Sequence, residues 1–295
     1  MITEVSSLTK GGESLNLDLF DPWSSGIAVK EITGLGPVKT ELSLERYALI
    51  DGAFLKGARV GTRNVVLTLI PVGDDVQTER RKIYNFFPVG ETITFGVVTS
   101  QVAVKSSMIV ESVEPNIFSE RQEIGVSLIA IDPYWRSNSP SITGLVGFND
   151  VTPLFQFPFR SGDNPKELIF GDLSNASGKD INYLGDAETG VVITFSFNGN
   201  VSNLTVINQT YDEAMIVNKV KDFYRGEQLV LDTRPAKKSV KHIAGGKESF
   251  ITGVLDIKSQ WIKLHPGINT IGLQFVGNPN DMDISIEYET LYRGV

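Results

Sequence analysis

Pro37-Val-Lys-Thr-Glu-Leu-Ser-Leu-Glu45 alternates apolar and polar side chains with a period of two. A strand sends successive side chains to opposite faces of a sheet, so this stretch reads as β, not as helix. Five further segments of the 295-residue chain repeat the pattern, and almost nothing else has the period of a long helix. The chain therefore reads as a mainly β protein. Any chemistry it performs has to sit on loops or sheet surfaces.

Working outward, strand-like pieces lie at Leu15–Leu19, Ile27–Thr33, Asn64–Ile70, Glu91–Val98, Val102–Glu114 and Gln122–Ile131. Between them, Asp51-Gly52 is a turn signal, and Gly57 and Gly61 allow bends or bulges. One good helix candidate runs from Asp74 to Phe87. Asp74 or Asp75 caps it, Val76, Ile83 and Phe87 share a face, and Pro88 stops it. Residues 136–148 are rich in Ser, Gly and Pro and read as a boundary. Beyond it, short strands recur at sandwich-like spacing, among them 154–159, 191–197, 204–208, 228–232, 239–243, 261–264, 269–275 and 283–288. The expected organisation is an N-terminal β domain over 1–136, a linker over 137–148, and a C-terminal β-sandwich over 149–295.

Composition narrows the function. Hydrophobic residues make up 41% and charged residues 21%, the balance of an ordinary globular protein. No apolar run approaches a membrane span, and the N-terminal residues lack the pattern of a secretory signal, so a protein made in a cytoplasm and soluble there is expected. With no cysteine, disulfides and thiolate metal sites are excluded. The net charge is −8, shared evenly between the halves, with no basic lobe of the kind that grips phosphate backbones. The densest basic run, Arg234-Pro-Ala-Lys-Lys-Ser-Val-Lys241, reads most simply as a solvated hairpin flank.

The candidate sites are thin. Gly277-Asn-Pro-Asn-Asp-Met-Asp283 gathers oxygen ligands that suit Ca²⁺, yet the same residues are standard turn formers, and the spacing of a calcium loop is incomplete. His242 and His265 lack a third nitrogen or sulfur ligand for zinc. Asp163, Asp172, Asp186 and Asp232 flank turns or strand ends, where carboxylates bond backbone N–H groups, and no pair stands out for glycoside hydrolysis. There is no nucleophile elbow and no phosphate loop. Trp23, Trp135 and Trp261 are the aromatics that might stack on a sugar ring. Alternation sets Trp261 opposite Ile262 and Leu264, so it faces outward if those two face the core. Packing at a core edge is its plainer reading, and sugar binding is the alternative. No catalytic residue, cofactor or metal site is expected.

The order of motifs resembles a known family. Asp51-Gly52, Gly57, Arg59, Arg63 and the strand Val65–Ile70 are similar to the N-terminal half of siphophage distal tail proteins. The helix with Arg80-Arg81-Lys82 and Tyr84, and the strand Gly125–Ile131 ending at Asp132-Pro-Tyr-Trp135, follow in the same order. The second half adds Asn182-Tyr-Leu-Gly-Asp186, Gly226-Glu-Gln-Leu-Val-Leu-Asp-Thr233 and Leu264-His-Pro-Gly-Ile-Asn-Thr-Ile271. The resemblance implies a β-barrel-like or split-barrel N-terminal domain with one short helix and a galectin-like or jelly-roll sandwich after it. It implies a structural virion protein, not an enzyme. Such a protein forms a homohexameric ring at the distal tip of a long non-contractile tail. The ring joins the tail tube to the tail-tip hub, often anchors receptor-binding proteins, and lets DNA pass through its channel. Arg59 and Arg63 are then expected to pair with acidic groups within or between subunits, or to lie on a solvated strand face.

Overall fold

In the computed structural model, described for residues 1–9, 11–47, 51–73, 75–116, 118, 122–138, 141–143, 176–217 and 222–295, the chain is mainly β, with antiparallel sheets and two short α-helices. It divides into two compact units: Met1–Asn138 with Leu291–Val295, and Ser139–Thr290.

The first unit runs β1 (Ile2–Leu8), β2 (Ser14–Asp18), α1 (Pro22–Ser25), β3 (Ile27–Thr33), β4 (Thr40–Arg46), β5 (Ala53–Val60), β6 (Arg63–Pro71), α2 (Val76–Phe86), β7 (Thr92–Thr99), β8 (Ala103–Asn116), β9 (Glu123–Ala130) and β10 (Trp135–Ser137). Its main sheet has the order β2-β1-β7-β8-β9-β6-β3, every pair antiparallel. The end strands β2 and β3 approach each other, joined by the single turn of α1, so the sheet curls into a barrel-like body. Alternation fills the inside. Val65, Leu67 and Leu69 of β6, Phe95 and Val97 of β7, and Ile124, Val126 and Leu128 of β9 are all buried.

Helix α2 begins where the sequence places its cap. The Asp75 carboxylate accepts from the Gln77 N–H at 3.0 Å and from the Thr78 hydroxyl at 2.6 Å. Those bonds hold its pKa below the ordinary value. Ile83 and Phe87 are buried, and the Lys82 ammonium reaches the Ser25 carbonyl at 2.5 Å, tying α2 to α1. The turn α1 was not read from the sequence, because four residues are too few to show a helical period.

Arg63 departs most from expectation. Among the described residues it pairs with no carboxylate, and it is buried. Its Nε donates to the Pro133 carbonyl at 2.8 Å. One terminal nitrogen serves the carbonyls of Gly34, Leu35 and Gly36, and the other serves that of Arg293 at 2.6 Å. The guanidinium also sits over the Trp135 ring, 5.1 Å from its centroid. Burial lowers its pKa, and the charge of Asp132 opposes that shift. The last five residues, which the sequence reading gave to the sandwich, belong to the first unit for this reason. Leu291–Tyr292 pair with β10, and the Val295 N–H bonds the Leu35 carbonyl at 3.2 Å.

The second unit contains β11 (Ser141–Thr143), β12 (Ala176–Tyr183), β13 (Thr189–Phe197), β14 (Ser202–Asn208), β15 (Glu213–Ile216), β16 (Gln228–Asp232), β17 (Ser239–Ala244), β18 (Lys247–Phe250), β19 (Lys263–Leu264), β20 (Gly267–Val276) and β21 (Met282–Tyr288). One sheet has the order β11-β21-β13-β16-β17-β18, with β19 beside β13, and the other has β12-β20-β14-β15. Val191, Ile193 and Phe195 of β13, with Ile284 and Ile286 of β21, share one buried cluster with Leu204 and Val206 of β14 and Ile271 and Leu273 of β20. That is a β-sandwich core. The strand expected at 154–159 lies outside the described residues, as do Asp163, Asp172 and all of the expected linker except 137–138 and β11.

Arg63→Met is expected to lower the stability of the first unit by about 3–5 kcal/mol, because it strands several buried carbonyls at once. Deletion of Leu291–Val295 should weaken the same transition. Urea unfolding followed by Trp fluorescence and by circular dichroism checks both variants, and the transition of the second unit should stay in place.

Candidate functional site

The segment that decided the fold forms a site of its own. Strands β4 and β5 make a separate two-stranded ribbon in which every residue is exposed, on both faces. The pairs Leu42↔Ala58 and Leu44↔Leu55 put leucines together on one face, with Val60 beside them opposite Thr40. The other face carries Glu41 opposite Arg59, and the Glu45 carboxylate meets the Lys56 ammonium at 2.6 Å. The register shifts between Ser43 and Leu44, a bulge that leaves Lys56 unopposed next to Gly57. Tyr47 and Phe54 pack ring to ring, 5.7 Å apart, and both are exposed. An isolated two-stranded hairpin is marginal in water, and each large aliphatic side chain gains about 1.5–3 kcal/mol on burial. The physics of the ribbon is that of a clasp lacking its second surface. Arg59 lies on the solvated face, while Arg63, four residues on, lies in the core.

The titratable groups of the second unit are arranged differently. Asp232 is raised by burial, but the Arg234 guanidinium, at 2.6 and 2.9 Å, outweighs this and holds the carboxyl below its ordinary value. Glu188 is lowered by its bond to the Lys263 ammonium at 2.8 Å, and Lys263 is raised in turn by Glu188. His265 stands between two carboxylates, Glu213 at 3.1 Å and Glu188 at 3.3 Å, and stacks on Tyr211. His242 contacts Glu227 at 2.9 Å. The carboxyls whose pKa moves thus move down, whereas a general acid for glycoside hydrolysis needs one pushed up. These groups join strands and loops to one another, as the Lys263 main-chain N–H does by donating to Glu213 at 2.9 Å.

Of the other expected candidates, Asn278 caps a 3-10 turn over Pro279–Asp281 in a capping box with Asp281, and Asp283 accepts from the Asn198 amide at 2.7 Å. That is turn chemistry. Among the described residues no cluster of three His, Asp or Glu is placed to hold a metal. Trp135 is fully buried, and Trp23 is 71% exposed on α1. Trp261 is half-buried against the sandwich core. Ile262 and Leu264 point inward, and the Lys238 ammonium lies 5.6 Å from its ring centroid. A recess of about 280 Å³ in the first unit is edged by Ser6, Gly96, Lys105 and Asn138.

Residues 184–292 match the family of siphovirus-type tail components, C-terminal domain, named for SPP1 Dit. A search of curated proteins found no match. Among solved structures, the crystal structure of the SPP1 Dit protein aligns with a TM-score of 0.63 at 16% identity, over 97% of this chain and 98% of that one. That protein is described as a paradigm of the hub adsorption apparatus in phages infecting Gram-positive bacteria. Chains of the phage P2 baseplate in its activated conformation with Ca and with Sr align at TM-scores of 0.49 and 0.48, with 10% and 9% identity. Each of these covers at least 99% of both chains.

The ionised pairs give a sign to the acid response of the second unit. Glu188 and Asp232 have folded-state pKa values below their ordinary 4.5 and 3.8. Their contribution is therefore complete above those values and lost as pH falls through the lowered ones. The melting temperature of the second unit should begin to drop as pH falls toward the ordinary 4.5 and 3.8 and go on dropping through the lowered values. Asp232→Asn should lower it at pH 6 and flatten the acid limb. Calorimetric scans across that range check both effects. The resemblance read from the order of motifs is borne out: residues 184–292 match the siphovirus-type tail component C-terminal domain, and the fold of the chain is similar to that of SPP1 Dit.

Proposed function

We propose that the protein is a ring-forming structural adaptor at the distal end of a long non-contractile phage tail, with no catalytic activity. Six copies close through the first unit around the channel that DNA traverses. The ring joins the tail tube to the tail-tip hub and carries receptor-binding proteins. The protein is made in the host cytoplasm and ends in the virion tail tip.

The observation that carries this reading is the β4–β5 ribbon. It presents Leu42, Leu44 and Leu55 on one face, each more than half exposed. A cyclic ring repeats one heterologous contact, in which a patch on each copy meets a different patch on the next. A projecting amphipathic ribbon suits the reaching side of such a contact. The fold likeness to SPP1 Dit, a protein of a hub adsorption apparatus, supports the same reading.

Light scattering with negative-stain imaging tests it. The expected particle is an annulus with about six times the 32.3 kDa chain mass. Leu42→Asp with Leu44→Asp should abolish the annulus and leave the melting temperature of the monomer nearly unchanged, since exposed substitutions cost within about 0.5 kcal/mol. A persistent monomer from the unmodified chain at high concentration, or an annulus indifferent to both substitutions, would count against the proposal.

A further inference from the structure

The second unit has a surface that the ring reading leaves unused. Among the described residues strand β18 is the last member of its sheet, and all four of its residues are exposed. It is joined to β17 by a two-residue turn, Gly245-Gly246, with φ of 56° and 76°. Both values lie in the left-handed region, as a hairpin turn of this kind requires. The Ile251 N–H bonds the Val240 carbonyl at 2.8 Å, and the pairs His242↔Ser249 and Ala244↔Lys247 follow at steps of two. Antiparallel ladders alternate bonded and non-bonded pairs, so the main-chain groups of Glu248 and Phe250 face the open side. They form a short, ready template for another strand.

The chemistry around this edge is distinctive. Residues 234–261 hold six Lys or Arg and two Asp or Glu, in a chain that is otherwise strongly acidic. Arg234 is taken by Asp232, and Lys241 reaches Glu248 only at 3.5 Å. Among the described residues, Lys237, Lys238 and Lys247 form no ion pair. An apolar group stands among these cations. Phe250 is 72% exposed under the Lys241 ammonium. A strand edge guarded only against aggregation gains nothing from an exposed phenyl ring. Two copies of this edge would also bring their own lysines together, which disfavours self-pairing.

We propose that the open edge of β18 is a docking site for an acidic, extended segment of a partner polypeptide. The segment adds as a strand to Glu248 and Phe250. Its carboxylates meet the unpaired lysines, and its apolar side chains cover Phe250. Main-chain bonds supply the strand register, and charge selects the partner.

Fluorescence anisotropy with the full chain tests the proposal. The probe is a labelled eight-residue peptide of alternating Glu and Val, compared with alternating Lys and Val and with a Glu–Val peptide N-methylated at every second residue. The Glu–Val peptide is expected to bind. Its affinity should fall at least about tenfold between about 50 and about 500 mM salt, and the Lys–Val peptide should not bind. N-methylation removes strand donors without altering charge and should cost at least about tenfold, as should Phe250→Pro, which deletes an outward N–H. The triple variant Lys237→Glu, Lys238→Glu, Lys247→Glu should lose binding with its melting temperature retained. Failure of the Glu–Val peptide to bind a folded chain would overturn the proposal. Equal binding of the N-methylated peptide would also overturn it, marking a mere anion patch, as would displacement by inorganic polyphosphate at equal charge with no effect of Phe250→Pro. Ring formation is read separately by mass, so either conclusion stands or falls alone.

Discussion

A guanidinium out of water needs an acceptor for every donor, and in the first unit that demand is met by main chain alone. Arg63 collects five carbonyls from three separate places: the turn at Gly34–Gly36, the end of β9 at Pro133, and the tail at Arg293. Each is held in place partly because the others are. The Leu35 carbonyl also accepts from the Trp135 indole at 3.2 Å and from the Val295 N–H. Gly34 has to be glycine on two counts. Its φ is +83°, and a Cβ there would lie 1.9 Å from the Asn64 carbonyl oxygen. One buried cation therefore binds the start, middle and end of the chain into a single unit, and the sandwich is spliced in between. A buried charge is a poor source of net stability but a strong source of uniqueness, since alternative packings leave it unsatisfied.

This arrangement explains which parts of the molecule were legible in the sequence. Strands β6 and β9 were plain because each alternates cleanly and is buried on one side, Val65 to Leu69 and Ile124 to Leu128. Helix α2 was plain because Asp75 and Pro88 bracket it. The role of Arg63 was not legible. Its neighbours in sequence, Gly61-Thr-Arg-Asn, look like an exposed strand entry, and its acceptors lie up to 230 residues away. The return of residues 291–295 was hidden for the same reason, since nothing local in Leu-Tyr-Arg-Gly-Val marks a change of unit. Strand β1 escaped because Ile2–Leu8 breaks its alternation at Ser6-Ser7, and Ser7 is buried with its hydroxyl on the Phe86 carbonyl.

The ribbon teaches a different lesson. Its period of two was the clearest signal in the chain, and it is a strand. The pattern, however, records only that one face is apolar, not what covers it. Most such faces turn toward their own core, and this one does not. The basic run from Arg234 shows the converse. Read as a line of residues it is a solvated flank. Folded, it borders an open strand edge with Phe250 beside it, and only the register of β17 with β18 reveals which main-chain groups remain available.

The two exposed surfaces also differ in what they respond to, and that difference matters for the proposed ring. Contacts through Leu42, Leu44 and Leu55 depend on removing apolar area from water, a term that salt does not screen. Contacts at the β18 edge depend on exposed lysines, whose attraction fades within a Debye length. A subunit that used one chemistry for both would invite its own copies into the partner site. With an apolar clasp for self and a cationic edge for others, each wrong pairing carries a penalty, either lysine against lysine or leucine against ammonium. In the proposed ring, closure then tolerates changes in ionic strength while partner capture does not. The two steps are separated by physical chemistry, with no conformational switch required to order them.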